Sequence, residues 1–222
     1  MSRSRKSALR SRSTLVLVRH AHTAMAGRFC GHSDPPLSAQ GLAQLPDLNR
    51  RLRTFSLTRI FSSDLKRARQ TAESIARRRN LQVHSLVSLR ELAFGSWEGL
   101  DWEQVVQRDS AYAQQWLDLN PALAAPEGEE FEDFRNRIHG AMERIAAQVQ
   151  NGCALVVTHA GVIRTFLQDN DLAQAGAGPG DFAKYDYTSC WEVWREAGQW
   201  RLPRENRRSV TLSSDDRRLV SD

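Results

Sequence analysis

The sequence predicts a three-layer α/β fold: an open, mostly parallel sheet with helices on both faces. Two apolar runs rich in β-branched residues carry that prediction, "TLVLV" (14–18) and "CALVVTH" (153–159). Strands buried on both faces of a parallel sheet read as continuous apolar stretches of this kind. Helical periodicity supplies the outer layers. In "DLKRARQTAESIARRR" (64–79), Leu65, Ala68, Ala72, Ile75 and Ala76 share one face, and Phe131, Phe134, Ile138, Ala141, Ile145 and Val149 recur at three- and four-residue steps. Strands alternating with such helices build layered α/β domains.

The remaining elements follow in chain order. "LTRIFSS" (57–63) and "LQVHSLV" (81–87) are weaker strand candidates, and Asp64 stands where it would cap the helix between them. The stretch from Trp97 to Glu130 has mixed helical character, ends in the Pro/Gly-rich "NPALAAPEGEE", and is expected to form a small cap over the sheet edge. "QAGAGPGD" (174–181) predicts a loop. "DYTSCWEVW" followed by "GQWRL" predicts a closing hairpin whose Trp191, Trp194 and Trp200 serve packing.

A chain of 222 residues fits one domain, expected over 14–203 between a basic N-terminal tail (1–13) and a polar C-terminal tail (204–222). The formal net charge of +5 suggests a polyanion partner until the charges are located. Arg3, Arg5, Lys6, Arg10 and Arg12 lie in "MSRSRKSALRSRS", and without them 26 cations face 26 acids. The Ser/Arg-rich composition of that segment cannot support a packed core. It is basic and free of acids, as some targeting peptides are, but lacks the apolar run of a secretory signal. No apolar stretch is long enough to span a bilayer, so no membrane partner and a cytoplasmic location are expected. Cys30, Cys153 and Cys190 are too few and too widely spaced for a disulfide framework or a CxxC metal pair.

Four segments could carry chemistry. "LVLVRHAHT" (15–23) releases His20 and His22 from the first strand. An HxH pair can hold a metal if further ligands such as His32 or His159 converge on it. Arg19 beside His20 opposes a cation and favours an anion instead. "SSDLKRARQT" (62–71) puts Arg67 in the first turn of a helix, where backbone N–H groups also favour anions. In a helix that also holds Lys66, Arg69, Arg77, Arg78 and Arg79, a solvated arginine is the competing assignment. "VVTHAG" (156–161) ends the second buried strand on His159, and Ala160 and Gly161 would let backbone N–H groups approach a phosphate. "RELAFGSWEG" (90–99) holds Glu91 near Leu92, Phe94 and Trp97, where an apolar setting suits a general acid. Alternatively Glu91 pairs with Arg90 or another cation.

In order and spacing these segments resemble the histidine phosphatase, or phosphoglycerate mutase-like, superfamily. The resemblance runs from about Leu15 to Trp194 through "RHAHT", "GHSDPPLSAQG", "SSDLKRARQTA", "ELAFGSWEG", "PEGEEFEDFRNRI" and "VVTHAGVIR". It implies that His20 is a nucleophile forming phosphohistidine, that Arg19, Thr23, Arg67 and His159 bind the phosphoryl group, and that Glu91 donates the proton. It also implies a small-molecule phosphate monoester as substrate, with no metal or other cofactor, and makes nucleic acid an unexpected partner. Ala21, His22 and Ala26 depart from the residues usual in that motif, and Pro46 interrupts a helix the family usually continues. The interval from Glu98 to "PEGEEF" is short, whereas the cofactor-dependent mutases carry a long insertion there that keeps water from the phosphoenzyme. "FCGHSDPPLSAQG" and "ELAFGSWEGLDWEQV" look most like the α-ribazole phosphatase branch, which acts in cobalamin synthesis. Phosphoglycerate mutases and broad-specificity sugar or nucleotide phosphatases share much of the pattern.

Overall fold

A computed structural model describes residues 12–119, 124–172 and 185–203. Among the described residues the sheet has six strands: β1 (Arg12–Arg19), β2 (Arg59–Ser63), β3 (Val83–Leu86), β4 (Cys153–Thr158), β5 (Cys190–Glu196) and β6 (Gln199–Arg201). Their spatial order is β3-β2-β4-β1-β5-β6. The first four run parallel, while β5 and β6 add an antiparallel edge. The predicted open, mostly parallel sheet is therefore the one observed. Ala197 and Gly198 close the final hairpin with positive φ at both positions (48° and 78°), matching the twist of the flanking strands.

Alternation along the two buried strands divides the core. Leu15, Leu17, Ala154 and Val156 face helices α5 (Phe131–Gln148) and α6 (Ala160–Asp169), with Phe134, Ile138, Met142 and Phe166. Val16, Val18, Leu155 and Val157 face α1 (Ala39–Arg51) and α2 (Lys66–Arg79), with Leu48, Ala68, Ala72 and Ile75. Short helices α3 (Trp102–Arg108) and α4 (Ser110–Leu119) lie in the stretch expected to form a cap. They enclose a separate apolar cluster of Trp97, Val105, Ala113 and Ala125, packed by Phe29, Phe94 and Trp116. Of the three hairpin tryptophans, Trp200 packs edge-on to Phe166, Trp191 stacks on Tyr185, and Arg12 lies over Trp194.

Three local expectations change. β1 begins at Arg12, inside the segment expected to be tail. The rest of that tail, the C-terminal tail and the 174–181 loop lie outside the described residues. Asp64 does not cap α2: the N-cap is Leu65, with no side-chain bond, because Asp64 is held by a bidentate pair with Arg90 (2.8 and 2.5 Å). Pro46 neither breaks nor restarts α1, which continues through it. The carbonyl that loses its helical partner belongs to Leu42, a residue 55% exposed, so the defect falls on the solvent side. Pro46→Ala is accordingly expected to raise stability by about 1–3 kcal/mol by restoring one helical bond. A higher urea midpoint checks this, and an unchanged one contradicts it.

Candidate active site

The site forms where the parallel strands end. Parallel pairing of β1 with β4 sets Arg19 opposite Thr158, so the next residue of each chain segment, His20 and His159, emerge side by side. The His20 N–H donates to the Thr158 carbonyl at 2.9 Å, and the two imidazole centroids are 5.1 Å apart. β2 ends at Ser63, and the following first turn of α2 brings in Arg67. Arg67 is 1% exposed, so the solvated-arginine alternative is excluded. Its Nη atoms donate to the carbonyls of Ser33 (2.7 Å), Gly31 (2.8 Å) and Cys30 (3.0 Å). Arg19 donates to the Tyr185 carbonyl at 2.6 Å and lies 3.9 Å over the ring of Tyr187. Thr23 is buried nearby in sequence, and its Oγ1 accepts the Met25 N–H.

Hydrogen bonding fixes the tautomer of His20. Its Nδ1 lies 2.8 Å from the Ala21 carbonyl oxygen, which can only accept. The proton therefore sits on Nδ1 and the lone pair on Nε2. Burial, reinforced by Arg19 and Arg67, holds the His20 pKa well below the ordinary histidine value. His159 is held well below it too, by burial first and then by Arg67, His20, Arg19 and Arg137. Both ring nitrogens of His159 and the Nε atoms of Arg19 and Arg67 are buried without a hydrogen-bond partner among the described residues. Each such group costs about 1–3 kcal/mol. Their convergence beside two fixed cations describes a receptor for an anion with several acceptor oxygens.

Glu91 is held beside the start of α6. Its Oε2 accepts the Gly161 N–H (2.9 Å) and its Oε1 accepts the Leu92 N–H (3.0 Å). A Cβ on residue 161 would meet Glu91 Oε1 at 2.3 Å, so glycine is required there for the carboxylate to approach. The Gly161 N–H thus serves Glu91 rather than lying open to a phosphate. Arg90 does not compete for Glu91, being paired with Asp64. His22 turns aside: its Nδ1 lies 2.8 Å from Ser38 Oγ, and its ring packs against Tyr187. His32 is exposed, and among the described residues no three His, Cys, Asp or Glu side chains converge as a metal site.

Four supporting residues had no role assigned from sequence. Glu98 accepts the N–H groups of Gly31, His32, Ser33 and Phe94, while Arg67 binds carbonyls of the same 30–33 loop. Burial alone would raise the Glu98 pKa, but those hydrogen bonds outweigh it and lower it. Arg137, on α5, pairs with Glu129 and reaches the backbone beside Glu91. Glu98, Glu129 and Arg137 lie within "ELAFGSWEG" and "PEGEEFEDFRNRI", so their motifs were visible. Tyr187 had no local signal at all.

Comparison with known proteins gives the family. The sequence profile of the histidine phosphatase superfamily (branch 1) matches residues 15–208. The chain belongs to that superfamily. It is 34% identical over 152 residues to the adenosylcobalamin/alpha-ribazole phosphatase of Salmonella typhimurium, covering 67% of this chain and 75% of that one. It is also 34% identical over 147 residues to a Proteus mirabilis protein named "Probable phosphoglycerate mutase GpmB", covering 65% and 68%. The crystal structure of alpha-ribazole phosphatase from Shigella flexneri superposes with a TM-score of 0.71 at 26% identity, covering 86% of this chain and 94% of that one. This histidine phosphatase has, among the described residues, no helix long and apolar enough to cross a membrane.

Holding His20 and His159 neutral has a thermodynamic consequence. Their folded-state pKa values lie below 6.5, so the unfolded chain takes up protons more readily as the pH falls through that value. Their contribution to stability is complete above pH 6.5 and is lost on acidification below it. Both rings should give the NMR signals of neutral imidazole at pH 6.5, with a urea midpoint that drops below that pH. A half-charged His20 ring at pH 6.5 would contradict the assignment.

Proposed function

We propose that this histidine phosphatase hydrolyses a small phosphate monoester through a phosphohistidine on His20, and that α-ribazole 5′-phosphate is its substrate. The observation that carries the mechanism is the buried, neutral His20, its proton on Nδ1 and its Nε2 lone pair without a hydrogen-bond donor among the described residues, beside Arg19, Arg67 and His159. A monoester dianion repels anionic nucleophiles, whereas neutral imidazole adds no negative charge to the transition state. The cations and His159 stabilise the equatorial oxygens from buried positions, where each charge acts more strongly than it would in bulk water. Thr23 is assigned as a further ligand to the phosphoryl group.

In the first step, His20 Nε2 attacks phosphorus as the P–O ester bond breaks, and Glu91 gives its proton to the departing alkoxide. In the second, the Glu91 carboxylate takes a proton from water, whose oxygen displaces imidazole from phosphorus. Phosphate leaves, and both His20 and Glu91 return to their starting protonation states. No metal or organic cofactor is required, because side chains supply the positive charge. The cytoplasm is the proposed compartment.

The α-ribazole substrate is supported by the Salmonella and Shigella relatives, and hydrolysis rather than phosphoryl transfer by the short interval between Glu98 and Pro126. The Proteus relative favours a mutase as second reading. A substrate panel separates them: phosphate release should be fastest from α-ribazole 5′-phosphate, and phosphoryl exchange on 3-phosphoglycerate without release would establish the mutase. His20→Ala should abolish turnover and acid-labile labelling by phosphate. Glu91→Gln should slow turnover by about 10²–10⁴-fold while phosphate still binds. Normal turnover by His20→Ala would overturn the mechanism.

A further inference from the structure

We propose that Arg137 is a positioning residue for Glu91, acting through the backbone of residues 88–91 and anchored by Glu129. The inference rests on Glu91 being the proton donor and adds a residue that never touches substrate. Arg137 Nη1 donates to the carbonyls of Ser88 (3.1 Å) and Arg90 (2.7 Å), and Nη2 donates to the carbonyl of Glu91 itself (2.9 Å). The same guanidinium pairs with both oxygens of Glu129, Nε to Oε1 at 2.5 Å and Nη2 to Oε2 at 2.7 Å. Glu129 in turn grips the chain on the other side of Glu91: its N–H donates to the Ala93 carbonyl at 3.0 Å and its Oε2 accepts the Ala93 N–H at 3.4 Å.

Residues 88–93 have almost no regular structure of their own beyond the end of one 3-10 turn. Their carbonyls would otherwise need water or a helix. One planar fork satisfies three of them, and Thr158 Oγ1, adjacent to His159, satisfies a fourth by donating to Leu89 at 2.7 Å. Glu91 is thus referenced to α5 through Arg137 and to the β4 end through Thr158 and Gly161. Lysine at 137 would keep the charge that acts on His159 yet could not reproduce the fork.

The test uses the leaving group as a readout. Expulsion of an alkoxide needs a proton from Glu91, whereas 4-nitrophenolate departs without one. Values of kcat/KM, which report phosphoenzyme formation, are measured on glycerol phosphate and 4-nitrophenyl phosphate for the parent, Arg137→Lys, Glu129→Gln and Glu91→Gln. Arg137→Lys should lose about 10–100-fold on glycerol phosphate, as expected for an acid displaced by a fraction of an ångström to one ångström. On 4-nitrophenyl phosphate it should stay within about threefold, and inhibition by inorganic phosphate should be unchanged. Glu129→Gln should show the same selectivity with a smaller loss, and carries the comparison if Arg137→Lys does not fold. Equal losses on both substrates, or none on either, overturn the proposal. If Glu91→Gln discriminates between the substrates and neither Arg137→Lys nor Glu129→Gln does, only the positioning role fails. If Glu91→Gln does not discriminate, the proton-donor assignment fails and takes the positioning role with it.

Discussion

The site depends first on the register between β1 and β4. A parallel pair shifted by one residue would turn every side chain of one strand to the other face. Here both alternating sets are apolar, Leu15 and Leu17 on one face and Val16 and Val18 on the other, so the register rests on how each set fits its own helix layer and on the ladder with β4. The histidines that follow the two strands are consequently neighbours before any side-chain interaction between them is considered. Their nearness is a property of the core, transmitted one residue beyond its edge.

Around that pair the protein accumulates positive charge where solvent is scarce. Arg19 and Arg67 are kept there by ties to backbone carbonyls rather than by carboxylate partners. A carboxylate salt bridge would neutralise the field that an anionic substrate needs; a carbonyl dipole restrains the guanidinium and leaves its charge uncompensated. Two of the carboxylates close at hand have backbone partners of their own. Glu98 is saturated by backbone N–H groups of the loop, and Glu91 is turned toward Gly161 and Leu92. Both acids are thus held by backbone N–H groups, while Glu91 and Asp186 still act electrostatically on Arg19.

Much of this was legible in the sequence. Continuous apolar runs marked the central strands, and the residues that leave them, Arg19, His20 and His159, proved to converge. Arg67 was obscured by the other cations of α2, although its spacing from Thr71 and Ile75 places it on the buried stripe of that helix. What local sequence could not show were competitions settled over distance. Asp64 is a sound helix cap until Arg90 arrives from the far end of β3 with a bidentate fork. The Gly161 N–H is available to a phosphate only while Glu91 is absent. Tyr187 meets Arg19, His20 and His22 across more than 160 residues of chain, so nothing near it in sequence marks the contact.

The three-way attachment of Arg67 to the 30–33 loop also bears on the entropy of ligand capture. A free arginine side chain gives up roughly 2 kcal/mol of rotamer freedom when it is immobilised. Here that loss is incurred during folding, when Ser33, Gly31 and Cys30 fix the guanidinium. An arriving anion meets a donor that is already still, and the free energy of its contacts goes into holding the ligand rather than into ordering the receptor.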